Sequence, residues 1–175
     1  MQIDWNQAFS TLIGALLGFL LSLILYWYKE RRERKNKEKQ ITNNVILELN
    51  LLVSFLGTVD QHISDVSTRI NSDIRPVFTW INYSRMINFH INQYYQSGLI
   101  RMVLSPVNIR KLDETLTWFN TPYGNELNRQ AIEWNEGRKT KGDLIEIYGI
   151  ERQKISEAIE FLGEIKDKVA ESLTQ

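Results

Sequence analysis

The longest unbroken apolar run in the chain is FSTLIGALLGFLLSLILYWY, residues 9–28, twenty residues without a charge. As a helix rising ~1.5 Å per residue it reaches ~30 Å, the depth of a bilayer's hydrocarbon core. Tyr26, Trp27 and Tyr28 stand at one end and Trp5 at the other, where amphipathic rings favour the headgroup zone. The run is too long for the apolar part of a secretory leader, and no basic stretch precedes it. The pattern predicts a single transmembrane helix.

The pattern changes sharply at Lys29. Residues 29–39 carry seven basic and three acidic side chains and no apolar one. Good helix formers fill this strip, so the membrane helix is expected to continue through it. Basic residues stay on the cytoplasmic side, which places the N-terminus outside and the remainder inside the inner membrane of a cell. Lys29, Arg31, Arg32, Arg34 and Lys35 are the expected topology and lipid-headgroup contacts, each cation near an anionic surface contributing about 1 kcal/mol. Three regions follow: a transmembrane anchor at 1–28, a basic juxtamembrane helix at 29–40, and a cytoplasmic helical domain at 41–175.

Helical periodicity dominates the third region. Ile41, Val45, Leu49, Leu52, Phe55, Val59, Ile63, Val66 and Ile70 recur at steps of three and four. Ile46, Leu51 and Leu56 widen this stripe beyond a two-helix seam, which points to packing within the chain. Asn71 to Pro76 reads as a break, because proline disfavours helix at the residue before it. A second helix is expected from Pro76 or Val77 to about Gln96, ended by Ser97-Gly98. The short apolar run 99–104 follows, and Ser105-Pro106 has the form of an N-cap and first helical residue. That helix is expected to pause near Asn120 and resume around Leu127. A polar loop covers 135–142. A last helix, starting between Asp143 and Glu151 and reaching about Leu173, carries Ile155, Ala158, Ile159, Leu162, Ile165 and Val169 on one face. The expected class is all-α: one N-terminal transmembrane helix continuing into a cytoplasmic antiparallel helical bundle.

Small residues add a feature inside the membrane segment. Ser10, Gly14, Gly18 and Ser22 recur every fourth position and form one smooth stripe on a helix. Between helices in lipid, close backbone approach replaces the missing hydrophobic drive, so this stripe predicts a homo-oligomer. Ser10 and Ser22 are expected to donate hydrogen bonds across that interface.

Composition narrows the chemistry. The chain has no cysteine and two histidines, His62 and His90, which removes disulfides, thiolate nucleophiles and cysteine zinc sites. Residues 40–175 hold fourteen basic and seventeen acidic side chains, a balance unsuited to general nucleic-acid binding. No phosphate loop, zinc-protease motif or nucleophile elbow is present, so no enzyme, metal or cofactor is expected. One constellation remains, in which Trp80, Tyr83, Tyr94, Tyr95 and Trp118 interleave with Arg85, Arg101, Arg110 and Lys111. Cations hold phosphates and rings stack on bases, so Arg85, His90, Tyr94, Arg101, Arg110 and Lys111 are the candidate ligand-binding residues. The competing reading makes the rings core and the cations solvated surface.

Tyr94-Tyr-Gln-Ser-Gly-Leu-Ile100, then Leu104-Ser-Pro106 and Leu116-x-Trp-Phe-Asn120, resemble a loose group of prokaryotic single-pass membrane-anchored helical proteins. The resemblance implies a Gly/Leu-rich membrane helix, a basic juxtamembrane helix and a helical bundle. The layout is also similar to type III CRISPR accessory membrane effectors, which bind cyclic tetra-adenylate in a cytoplasmic domain. No ligand residue of that class is matched here. Together these imply an oligomeric antiviral-defence effector that senses a nucleotide, such as a cyclic oligonucleotide, and perturbs the bilayer. The alternative is a non-enzymatic membrane-tethered scaffold recruiting a cytoplasmic protein partner, with the 41–70 stripe as its docking face.

Overall fold

The computed structural model describes residues 5–79, 81–83, 88–120 and 123–174. Every regular element among them is helical: α1 (Trp5–Asn71), α2 (Phe89–Gln96), α3 (Ile100–Val103), α4 (Pro106–Asn120), α5 (Tyr123–Asn135) and α6 (Lys141–Glu171). The chain divides into two units, Met1–Gln40 and Ile41–Gln175.

The first unit is the opening part of α1. It is long and apolar enough to cross a membrane, and none of its apolar window is buried within the chain. The basic strip is helical, as its helix formers predict. Its charges pair along the helix, Lys29 with Glu33 at 3.9 Å and Arg34 with Glu38 at 3.0 Å.

In the second unit the α1 stripe faces a core. Val45, Leu49, Leu52, Leu56, Val59, Ile63, Val66 and Ile70 are buried, and Ile41, Ile46 and Phe55 pack at its margin. Leu51 departs from the expected stripe. It is 71% exposed, and Leu47, one turn earlier, is 61% exposed, because both point away from the packed face. The matching face of α6 buries Leu144, Tyr148, Ile155, Ala158, Leu162, Ile165 and Val169. Polar contacts join the two helices. The Lys141 ammonium donates to the Asn71 carbonyl, and Arg152 grips Asp60 through two nitrogens at 2.9 and 3.3 Å. Helices α4 and α5 both pack on α6, and α3 joins α2 to α4.

Helix ends follow local chemistry. Helix α1 stops in a Schellman turn: Ile74 N–H donates to the Arg69 carbonyl, Asp73 N–H donates to that of Ile70, and Asp73 takes φ 52°. Helix α5 ends the same way, with Gly137 at φ 74°. The expected Ser105 cap is present, its hydroxyl accepting from Asn108 N–H at 3.3 Å. Helix α6 starts at Lys141, two residues before the expected range. Thr140 and Asp143 form a reciprocal capping box, which turns the end of the expected loop into a helix start.

The expected helix from 76 or 77 onwards is the main correction. Among the described residues of that range only Phe89–Gln96 forms an α-helix, 77–79 and 81–82 are not helical, and 80 and 84–87 lie outside the described residues. Side chains of α5 pair backbone groups of this stretch instead. Val77 N–H donates to Asn135 Oδ1 at 2.9 Å, while Asn135 Nδ2 donates to the Val77 carbonyl at 2.7 Å. Ile81 N–H donates to Asn128 Oδ1. Burial alternates along this stretch: Val77, Ile81 and Tyr83 are buried, whereas Phe78 and Asn82 are exposed.

Candidate functional site

Helices α2, α3 and α4 carry the candidate ligand residues, with the exception of Arg85, which lies outside the described residues, as does Trp80. Two of them meet. Arg101 of α3 and Arg110 of α4 line one groove with Tyr95, Leu104, Pro106, Ile109 and Asp113, of ≈ 550 Å³. Between the two helices the backbone is extended at Leu104, φ −110° and ψ 141°, before the Ser105 cap opens α4. Tyr95 donates its hydroxyl proton to the Ile109 carbonyl at 3.1 Å, which fixes the ring as one wall. Burial, with Asp113 nearby, pushes the Tyr95 phenol up, so it remains neutral. The groove has an aromatic and aliphatic floor, two guanidinium groups and one carboxylate. Such a lining suits a ligand with a planar or apolar body and an anionic group. Arg110 is also 3.7 Å from Glu114, an exposed pair that a phosphate can outcompete.

The remaining candidates sit elsewhere. Tyr94 is buried, its hydroxyl bonded to the side chains of Ser172 and Thr42, and burial raises its pKa. Its ring belongs to the core. His90 is half-buried in the first turn of α2, with its ring edge against Phe89. Lys111 points to another groove, shared by Trp118, Thr115, Lys154, Glu114 and Glu157, and its ammonium lies 4.4 Å over the Phe161 ring. Lys154 covers Trp118 at 3.1 Å. Two lysines and two glutamates there leave no net charge for an anion to seek.

Two buried carboxylates carry structural weight that the sequence reading passed over. Glu48 of α1 accepts from His90 N–H at 3.2 Å and from Ile91 N–H at 2.7 Å. It caps α2 from another helix, since Asn88 makes no side-chain cap bond. Glu151 of α6 is fully buried and accepts the Tyr83 hydroxyl. Burial raises its pKa, against smaller opposing effects of Tyr83 and Lys154. Spacing could have revealed both. Glu48 stands three residues after Val45 and four before Leu52, and Glu151 three after Tyr148 and four before Ile155, each on its helix's apolar face.

In the first unit, a Cβ added at Gly14 or Gly18 would meet nothing within 4 Å. Ser22 does not keep its hydroxyl free for a neighbouring helix, because it donates to the Gly18 carbonyl of its own helix at 2.8 Å. The Ser10 side chain lies outside the described set. At the other end of the apolar run, Arg31 lies 5.3 Å from the Trp27 ring. Among the described residues no cluster of three His, Cys, Asp or Glu could hold a metal. No protein-family model, no curated protein and no solved structure matches the chain.

Proposed function

We propose that this protein is a single-pass inner-membrane effector whose cytoplasmic domain, an antiparallel helical bundle, receives an anionic nucleotide signal. The observation that carries the membrane reading is the nakedness of the apolar helix. From Leu12 to Tyr28 its large side chains are all exposed, Leu25 to 67%, directly before a basic strip. Water around so much contiguous apolar surface is strongly unfavourable, and lipid removes it. The antiparallel reading is supported by contact order: Lys141 meets Asn71, Arg152 meets Asp60, and Tyr94 joins Ser172 to Thr42.

The ligand reading rests on the groove of Arg101, Arg110 and Tyr95. Guanidinium groups for phosphate beside a ring for stacking fit a nucleotide, cyclic oligoadenylates included, and accord with an antiviral-defence role. Self-association through Gly14 and Gly18 would let the signal act on several membrane helices together. A ligand achieves this by binding one arrangement of the oligomer better than another.

A scaffold is the second reading, favoured by the exposed Leu47–Leu51 pair. Its docking face would be that pair, because the 41–70 stripe is committed to the chain's own core. Full-length protein in lipid nanodiscs separates the two. A nucleotide panel should raise the melting temperature, and R101E with R110E should abolish the rise. No shift with any nucleotide, together with a partner lost on Leu47→Lys and Leu51→Lys, would replace the effector with the scaffold. Membrane residence itself requires that the protein resist alkaline extraction with residues 9–28 still attached. Release of a shortened chain into the wash would show a leader instead.

A further inference from the structure

Within the second unit, α1 has a solvent face as well as a core face, and its make-up differs from that of α6. A line of exposed positions runs Asn43, Leu47, Asn50, Ser54, Gly57 and Gln61, at steps of four, three, four, three and four. Leu51 and Thr58 flank this line. Every exposed residue between 41 and 61 is uncharged. The two carboxylates of that span turn elsewhere, Glu48 to the backbone of α2 and Asp60 to Arg152 of α6. The exposed face of α6 carries Glu157, Glu160, Glu164 and Lys168.

Charge is what keeps a face meant only for water soluble. This face instead presents two leucines one turn apart, 61% and 71% exposed. Beyond them lies Gly57, inside the helix, where glycine costs about 1 kcal/mol relative to alanine. Among the described residues no neighbour calls for it, since an added Cβ would meet nothing within 4 Å. A glycine at such a point lets a second backbone come close. The alternating steps of four and three are those of a seam between two helices.

The absence of charge identifies the occupant. A helix that meets its own copy in parallel sets each residue against itself, so any charge on the seam would face a like charge. Leucine packs on leucine. An asparagine amide both donates and accepts, so Asn43 and Asn50 are each able to pair with their own copy. A foreign partner makes no such demand, and charged positions would serve it as well.

We propose that the 43–61 face of α1 is a contact between two copies of this chain, packed in parallel with Leu47 on Leu47 and Gly57 on Gly57. The parallel sense rests on the membrane reading, because two chains inserted with one topology leave the bilayer in the same direction. Two leucines make a weak seam in dilute solution. Tethering both copies in one membrane raises their effective concentration and makes the seam sufficient. The contact deepens the oligomer proposed above and is separate from the Gly14–Gly18 stripe.

The chain has no cysteine, so a single introduced thiol reports on one position. Full-length chains bearing Leu47→Cys, Ser54→Cys or Gly57→Cys are mildly oxidised in whole lysate, which is then fractionated. The fraction holding the chain reads membrane residence, and the disulfide-linked dimer reads the contact. Ser156→Cys and Glu160→Cys, exposed on α6, set the rate of chance collision. The seam positions should dimerise at least about tenfold faster than these two. Asn50→Asp, which sets a carboxylate against its copy, should slow pairing at Ser54→Cys several-fold, and Asn50→Gln should not. Pairing should persist when Gly14→Leu and Gly18→Leu are added. Seam dimers in the soluble fraction would overturn the membrane reading and uphold the contact. Seam rates equal to the α6 controls, a disulfide to a different protein in place of a second copy, or loss of all pairing in the glycine variant would overturn the contact.

Discussion

Glu48 shows how one side chain decides whether a short helix exists. Helix α2 has eight residues, too few to be stable in isolation. Its first-turn N–H groups have no cap from Asn88, and the Glu48 carboxylate supplies acceptors for two of them. Glu48→Ala should cost about 2–3 kcal/mol, since both N–H groups lose a charged partner. Glu48→Gln, with one acceptor oxygen left, should cost less. Denaturant midpoints of the detergent-solubilised protein measure both, and equal stability of Glu48→Ala and wild type would deny the cap. Glu151 works in the opposite electrostatic sense. Its folded-state pKa is raised, so its contribution is complete below the ordinary carboxylate range and is lost as pH rises through the folded value. A thermal scan series should show stability declining on that limb in the wild type and a flatter limb in Glu151→Gln.

At the level of elements, the legible parts were those whose partners are local. The α1 and α6 stripes, the Ser105 cap and the Gly98 turn depend on residues within a turn of one another, and periodicity exposes them. The 77–83 stretch was illegible because its backbone partners, Asn128 and Asn135, lie some fifty residues away on α5. Helix propensity cannot report a side-chain amide that arrives from another element. The same logic explains Leu51: apolarity alone widens the stripe, while burial is set by where the neighbouring helices sit. Asn135→Ala tests the amide clamp. It leaves a buried N–H and carbonyl of Val77 unpaired and should cost about 2–4 kcal/mol. Leu51→Ala, which uncovers nothing, should stay within about 0.5 kcal/mol. Reversal of that order in urea denaturation would mean the clamp is incidental.

Across the whole molecule, the candidate site was legible as chemistry but not as geometry. The sequence reveals arginines among rings; it does not reveal that Tyr95 lines the groove while its neighbour Tyr94 is spent in the core. Adjacent residues on a helix point about 100° apart, so a cluster in sequence is divided between surface and interior. The apolar N-terminal helix poses the reverse problem, since its chemistry is bland and only its pattern speaks. Gly14 and Gly18 have open space beside them, and the Ser22 hydroxyl is satisfied within its own helix, which leaves backbone approach as the basis for the proposed association. Gly14→Leu with Gly18→Leu should therefore weaken self-association about tenfold, ~1.4 kcal/mol, in fluorescence energy transfer measured in bilayers. Leu16→Ile and Leu23→Ile, on the opposite face, provide the control and should leave transfer unchanged. If the leucine pair associates as well as the wild type, or the control pair weakens equally, the helices do not meet on the glycine face. A monomeric membrane helix would remove the oligomeric part of the proposed effector and leave the scaffold reading in its place.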